Sequence, residues 1–244
     1  MKRLLVVISA ILLSPSLALA AIAYDTSVVC GSSGSWTLQG NTAVCSLTTG
    51  AVNSTYIVIP FIEGNSVNHI TGVTVNGTSA TSVYSISAVS GIGGAYGYGF
   101  VPTTTVNNVR VAQSTNDNVY GGLASYTGVG SLDAAHSAAS TTAGINQTFF
   151  GYKVTPANAN SMIVLSAQNG NASTFTAGSN TTVREQDTAG ADFIADSGTP
   201  VTGQTEISVT AASGKWGGGA FVLAPPAAAT TARPSGKLIL FGDW

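Results

Sequence analysis

The stretch Asn118–Val129, NVYGGLASYTGV, is the strongest constraint on the fold. Read as a strand, it sets Val119, Gly121, Leu123, Ser125 and Thr127 on one face. Tyr120, Gly122, Ala124, Tyr126 and Gly128 take the other. Neither face carries a charge, so both need cover from protein. The paired glycines let another backbone come close, or mark a bend. A central strand hidden on both sides implies a two-layer β structure.

Charge elsewhere is just as scarce. Only 7% of residues are Asp, Glu, Lys or Arg, against a typical ~25%. Thr, Ser, Gly, Ala and Asn take their place, a composition that suits strands and turns and disfavours helices. Thr55–Ile62, TYIVIPFI, reads as a core strand, with Pro60 near its end. Asn76-Gly77 signals a hairpin, because a type I′ turn needs positive φ at both positions. Gly91–Phe100 is a glycine-rich loop leading into a strand, with no helix start behind it to cradle phosphate. About thirteen strands with regular turn signals predict an all-β, two-layer antiparallel sandwich.

The ends differ from the middle. Residues 1–20 read as a signal helix, with Lys2 and Arg3 before an apolar run and Ala18-Leu19-Ala20 as the cleavage site. Removing Lys2 and Arg3 from the eight basic residues leaves six against ten acidic, a net charge of −4. No basic patch remains, which argues against a nucleic-acid partner. No later apolar stretch is long enough for a membrane span, so the mature chain is expected to be secreted, extracellular or at a cell surface. The domain is expected over 21–224, followed by a Pro/Ala linker over 225–236 and an apolar tail over 237–244. That tail, Lys237–Trp244, KLILFGDW, is either a last strand folding back or a docking peptide for a sheet edge in another subunit. Cys30 and Cys45 are expected to form one disulfide in an exported chain, with two buried thiols as the alternative.

The strand order STYIVIPFIEGNSVNHITGVTVNG, VNNVRVAQS, GGLASYTGVGSLDAAHSA, SMIVLSA, FTAGSNTTVREQD and KWGGGAFVLAPP resembles a module of exported bacterial and phage-associated proteins. The resemblance covers Ala21–Pro226. It implies a jelly-roll sandwich of the concanavalin/laminin-G-like sort in an extracellular setting. Gly130 stands where that module often has Asp, so no ligand role carries over there.

Candidate sites are few. Tyr96, Tyr98 and Trp216 are the aromatics best suited to stack on a sugar ring. Asp187, Asp192 and Asp196 are the candidate ligands for a structural Ca²⁺, an ion that takes six to eight oxygens. Glu185 and Asp187 share a strand face and form a carboxylate pair of the kind a glycosidase uses. Asp133, His136 and Ser137 hold triad residue types, but five neighbouring residues rarely give triad geometry. His69 and His136 lack zinc-type spacing. The sequence therefore points to a non-enzymatic binding or adhesion module for an extracellular polysaccharide or cell surface. A self-assembling structural subunit, with a homo-oligomer contact through Lys237–Trp244, is second, and a glycoside hydrolase third.

Overall fold

The structure is a computed structural model that describes residues 21–30, 36–52, 54–63, 69–87, 93–115, 118–134, 137–141, 145–171, 174–187 and 191–227. The expected signal helix and apolar tail lie outside these residues. The described chain contains no helix, as its composition demands. Its first strands are β1 (Ala23–Val29), β2 (Thr37–Leu38), β3 (Thr42–Thr48), β4 (Tyr56–Glu63) and β5 (Ile70–Val75). Then come β6 (Thr78–Ser79), β7 (Thr81–Ile86), β8 (Ala95–Phe100), β9 (Val106–Gln113) and β10 (Val119–Thr127). The second half holds β11 (Ser131–Leu132), β12 (Ala138–Thr141), β13 (Gln147–Val154), β14 (Met162–Asn169) and β15 (Thr176–Ala177). It ends with β16 (Thr182–Asp187), β17 (Asp192–Asp196), β18 (Thr205–Gly214) and β19 (Trp216–Ala224). The strands outnumber the thirteen expected, because short edge strands such as β6, β11 and β15 carry no apolar pattern of their own.

These strands form four antiparallel sheets rather than two. The inner N-terminal sheet runs β1-β10-β4-β8-β7, and the outer one β2-β3-β9-β5-β6. The inner C-terminal sheet runs β11-β19-β14-β17-β16, with β12 also on β19, and the outer one β13-β18-β15. Three apolar clusters fill the spaces between them. Ile57, Ile59 and Phe61 meet Cys45, Val73 and Val111 inside the N-terminal sandwich. Ile163, Leu165 and Trp216 meet Phe150, Ile207 and Val209 inside the C-terminal one. Between the two, Val58, Ala124 and Tyr126 meet Met162, Val164, Ile194 and Phe221. The uncharged faces of β10 are thereby explained. Val119 and Leu123 point into the N-terminal sandwich, and Ala124 and Tyr126 into the junction. A strand covered on both faces needs a layer on each side of its own sheet, which a two-layer reading cannot supply.

The two sandwiches repeat one strand order. Strands β1, β3, β4, β5, β7, β8, β9 and β10 correspond in turn to β12, β13, β14, β15, β16, β17, β18 and β19. The registers agree as well. Val119 lies opposite Glu63 in the first half, and Trp216 opposite Asn169 in the second. A register shift just before Tyr84 recurs just before Glu185. At the junction β1 runs beside β16, and β12 beside β7, so counterparts meet as across an approximate two-fold axis. Sequence echoes this once the registers are known: IVIPFIEGN aligns with IVLSAQNGN, and both halves place paired glycines on the last strand.

Local chemistry supports the strands. Asn76 and Gly77 have φ of 50° and 83°, the two-residue turn expected between β5 and β6. Pro60 cannot donate to a ladder, and the pairing of β4 with β10 skips Gly122 and Leu123 at that point. Cys30 and Cys45 form the expected disulfide, which ties the end of β1 to β3 and so links the two N-terminal sheets.

Candidate functional site

The expected sugar-stacking platform does not form. Trp216 is 0% exposed and stacks on Phe150 inside the C-terminal sandwich. Tyr96 is 5% exposed and stacks on Phe61 in the N-terminal one. Tyr98 is half-buried and also stacks on Phe61. Two-residue periodicity puts Tyr96 and Tyr98 on one face of β8, as the sequence suggests. That face is the core face, so these corrections share one cause: burial of large aromatics outweighs exposure.

The triad residue types in 133–137 hold backbone instead. The Ser137 hydroxyl donates to the Asp133 carbonyl at 3.0 Å and accepts from the Val222 N–H at 3.2 Å. The Asp133 carboxylate accepts from the Ala157 N–H at 3.0 Å. His136 lies outside the described residues.

His69 has a partner that spacing did not reveal. Glu63, fully buried at the end of β4, accepts the His69 N–H at 2.8 Å and lies 3.1 Å from His69 Nδ1. The Tyr96 hydroxyl donates to its other oxygen at 3.3 Å. Burial first, then the Glu63 charge, pushes the Tyr96 phenol well up. Glu63 thus fixes the re-entry of the chain after residues 64–68.

The acidic residues of the second half separate into two groups. Asp196 accepts from Arg184 Nε at 2.7 Å and from the Gly198 N–H at 2.8 Å. The Arg184 guanidinium also lies 4.6 Å over the Tyr24 ring of β1. Asp196 is therefore engaged at the far end of β17 from Asp192. Asp187 and Asp192 do come together as cross-strand partners where β16 meets β17. Glu185 joins them on the face of β16 that looks toward the inner N-terminal sheet. The structure thus brings Glu185, Asp187 and Asp192 into one buried group, with Glu185 in the place expected of Asp196.

That group sits at the junction of the sandwiches. Glu185 is 7% exposed and Asp192 4%, and neither carboxylate has a hydrogen-bond donor among the described residues. A Cβ on Gly122 would lie 2.8 Å from Glu185 Oε2 and 2.8 Å from the Val28 carbonyl, so glycine makes room for the acid. Burial, then the charges of Asp192 and Asp187, pushes Glu185 up to about 9. Burial first, then the Asp187 charge, raises Asp192 well above the usual carboxylate range. Glu185 therefore holds its proton at neutral pH. In the first half the counterpart of Glu185 is Tyr84, whose hydroxyl hydrogen-bonds Ser166 at 2.9 Å and whose ring packs 5.4 Å from Phe221.

A small junction cavity lies beside Asp192, between Pro60, Tyr84, Gly121, Ser166 and Gly218. Its free space takes about one water molecule. A glycosidase pair needs a sugar between its carboxylates, and this space admits none. Among the described residues no group of three or more His, Cys, Asp and Glu is arranged to hold a metal ion.

Comparison with known proteins gives no match: no family model, no curated protein and no solved structure corresponds to this chain. Nothing there identifies the concanavalin/laminin-G-like module to which the strand order was likened. Among the described residues no helix is long and apolar enough to cross a membrane.

Proposed function

We propose that this protein is an exported, non-enzymatic structural subunit that packs against copies of itself at an extracellular surface. The observation that carries the reading is the edge of the outer C-terminal sheet. There β13 pairs with β18 alone among the described strands, and Ile145 and Phe149 stand 63% and 44% exposed. An exposed edge strand flanked by apolar side chains is a template for association. The disulfide suits an oxidising compartment, and the scarcity of charge suits faces that pack together. The shared strand order of both halves supports a jelly-roll reading for each.

Adhesion to a polysaccharide is the second reading. It draws on the outer N-terminal sheet, whose solvent face carries Thr42, Ser46, Thr48, Thr74 and Asn108, with Arg110 the charged member. Hydroxyl and amide groups on a sheet face suit a hydroxyl-rich surface, and Tyr96 and Trp216 take no part in it.

Sedimentation of the chain from Ala21 across a range of concentrations tests the first reading. Mass that grows with concentration is the expected result. A monomer at every concentration would overturn it and make a glycan array the next experiment.

A further inference from the structure

We infer that the edge of β13, which no described strand but β18 pairs, is the docking site of the chain's own apolar octamer, Lys237–Trp244, which adds there as a fourth strand of the outer C-terminal sheet. Whether the octamer comes from the same copy or a neighbouring one rests on the assembly reading above; the choice of edge does not.

The internal repeat shows what closes the matching edge of the first half. In the first half, β3 corresponds to β13, and β3 carries an extra strand, β2, on its outer side. Trp36, just before β2, is 2% exposed, donates its N–H to the Val119 carbonyl and packs against Phe61. That segment closes the N-terminal sandwich. The second half has no described counterpart of β2. Instead, Gln147, Thr148 and Phe149 are exposed in a row at the start of β13.

The layers facing this edge agree. Trp216 Nε1 donates to the Gln147 carbonyl at 2.8 Å, which sets β13 over β19. Beyond β19 in the same inner sheet lie β11 and β12, and no described strand of the outer sheet covers them. A strand added to β13 would lie over that margin.

The chain leaves the sandwich on the same side. Ala224, the last residue of β19, pairs with Ser131 of β11 and accepts the Gly130 N–H at 2.9 Å. Pro225 and Pro226 then press on Gly130, where a Cβ would lie 2.4 Å from Pro226 Cα. Nine residues, 228–236, span at most about 30 Å when extended. Strand alternation would set Leu238, Leu240 and Trp244 on one face and Ile239 and Phe241 on the other. One set would cover the margin of the inner sheet, and the other would lie beside Phe149. Main-chain pairing gives such an addition its affinity, and the side-chain pockets give it register.

Amide hydrogen exchange on the chain from Ala21 to Trp244 tests this. Three forms are compared: the native chain, Leu240→Asp with Phe241→Asp, and Phe149→Glu. Exchange across Gln147–Val154 should be at least tenfold faster in both variants, with β7, an edge of the inner N-terminal sheet, unchanged. Equal protection of β13 in all three would overturn the inference. Should the tail variant lose protection throughout, Phe149→Glu decides, since that side chain is already half exposed. A monomer whose β13 depends on the tail would keep this inference and remove the assembly reading. An assembly whose β13 ignores the tail would do the reverse.

Discussion

The two sandwiches share a strand order and differ in how they are secured. The first half has a disulfide between its sheets, an edge closed by Trp36 and β2, and a tyrosine at the junction. The second half has no cysteine, an edge without a described partner, and at the same junction position Glu185 among two other acids. Equivalent backbone does not require equivalent chemistry. Apolar periodicity and turns set the order of strands, and single side chains then decide where the structure is closed and where it carries a cost. The asymmetry also concentrates the features open to a partner or to a proton in the second half.

The largest test of this contrast is removal of the disulfide. Replacing Cys30 and Cys45 by Ala should cost roughly 3 kcal/mol for a loop of this size. Chemical denaturation should show the loss, and hydrogen exchange should place it first in β3 and β9. Should the C-terminal sandwich open in step, the junction cluster around Tyr126 and Phe221 couples the halves into one cooperative unit. Should it keep its protection, the halves are separable.

The acidic group at the junction gives the next effect, of opposite sign. Glu185 and Asp192 keep their protons to higher pH in the folded chain than in the unfolded one. The folded state then binds more protons between the ordinary carboxylate range and about 9, so stability falls as pH rises through that window. Glu185→Gln with Asp192→Asn should flatten that dependence and raise stability at pH 8 by about 1–3 kcal/mol, the scale of an unsatisfied buried polar group. Thermal midpoints of both forms from pH 5 to 9 measure it. Parallel curves would mean that the acids are solvated in solution.

Much of the fold was legible. The covered faces of β10, the Asn76-Gly77 turn and the disulfide followed from residue type and spacing, because each depends on contacts close in sequence or on one periodicity. The duplication was not legible. IVIPFIEGN and IVLSAQNGN are short and generic, and only the shared register with β10 and β19 makes their equivalence plain. The aromatic candidates failed because period two places Tyr96 and Tyr98 together without saying which face is core. The acidic group was half legible. Glu185 and Asp187 share a face by periodicity, but the pairing of Asp187 with Asp192 depends on the hairpin register, and the engagement of Asp196 depends on Arg184.

A smaller effect is expected on the other side of the acidic junction. Gly122→Ala would place a methyl 2.8 Å from both Glu185 Oε2 and the Val28 carbonyl. The carboxylate can swing away, but the β1 backbone has to shift. Overpacking of this kind costs about 1–3 kcal/mol, and the lower end applies because one of the two neighbours is a side chain. Combining it with Glu185→Gln in a double-mutant cycle, read by denaturant unfolding, tells whether the acid or the backbone sets the cost. Strict additivity would assign it to Val28.

The smallest effect tests equivalence itself. Glu63 and Asn169 occupy matching ends of β4 and β14, and both are fully buried. Asn169 works there as a neutral amide: its Oδ1 accepts the Asn171 N–H at 2.9 Å and its Nδ2 donates to the Ala212 carbonyl at 2.9 Å. Glu63 accepts from His69 and Tyr96 instead. Glu63→Gln keeps an acceptor for the His69 N–H and removes a buried charge, but weakens the contact with the His69 ring. These changes oppose each other, so a loss of about 1 kcal/mol or less is expected in thermal unfolding. Glu63→Ala leaves the same donors without an acceptor and should cost more, about 1–3 kcal/mol. Equal losses for the two variants would mean that the charge itself holds the strand end, and the two halves would then differ in kind at their most closely matched position.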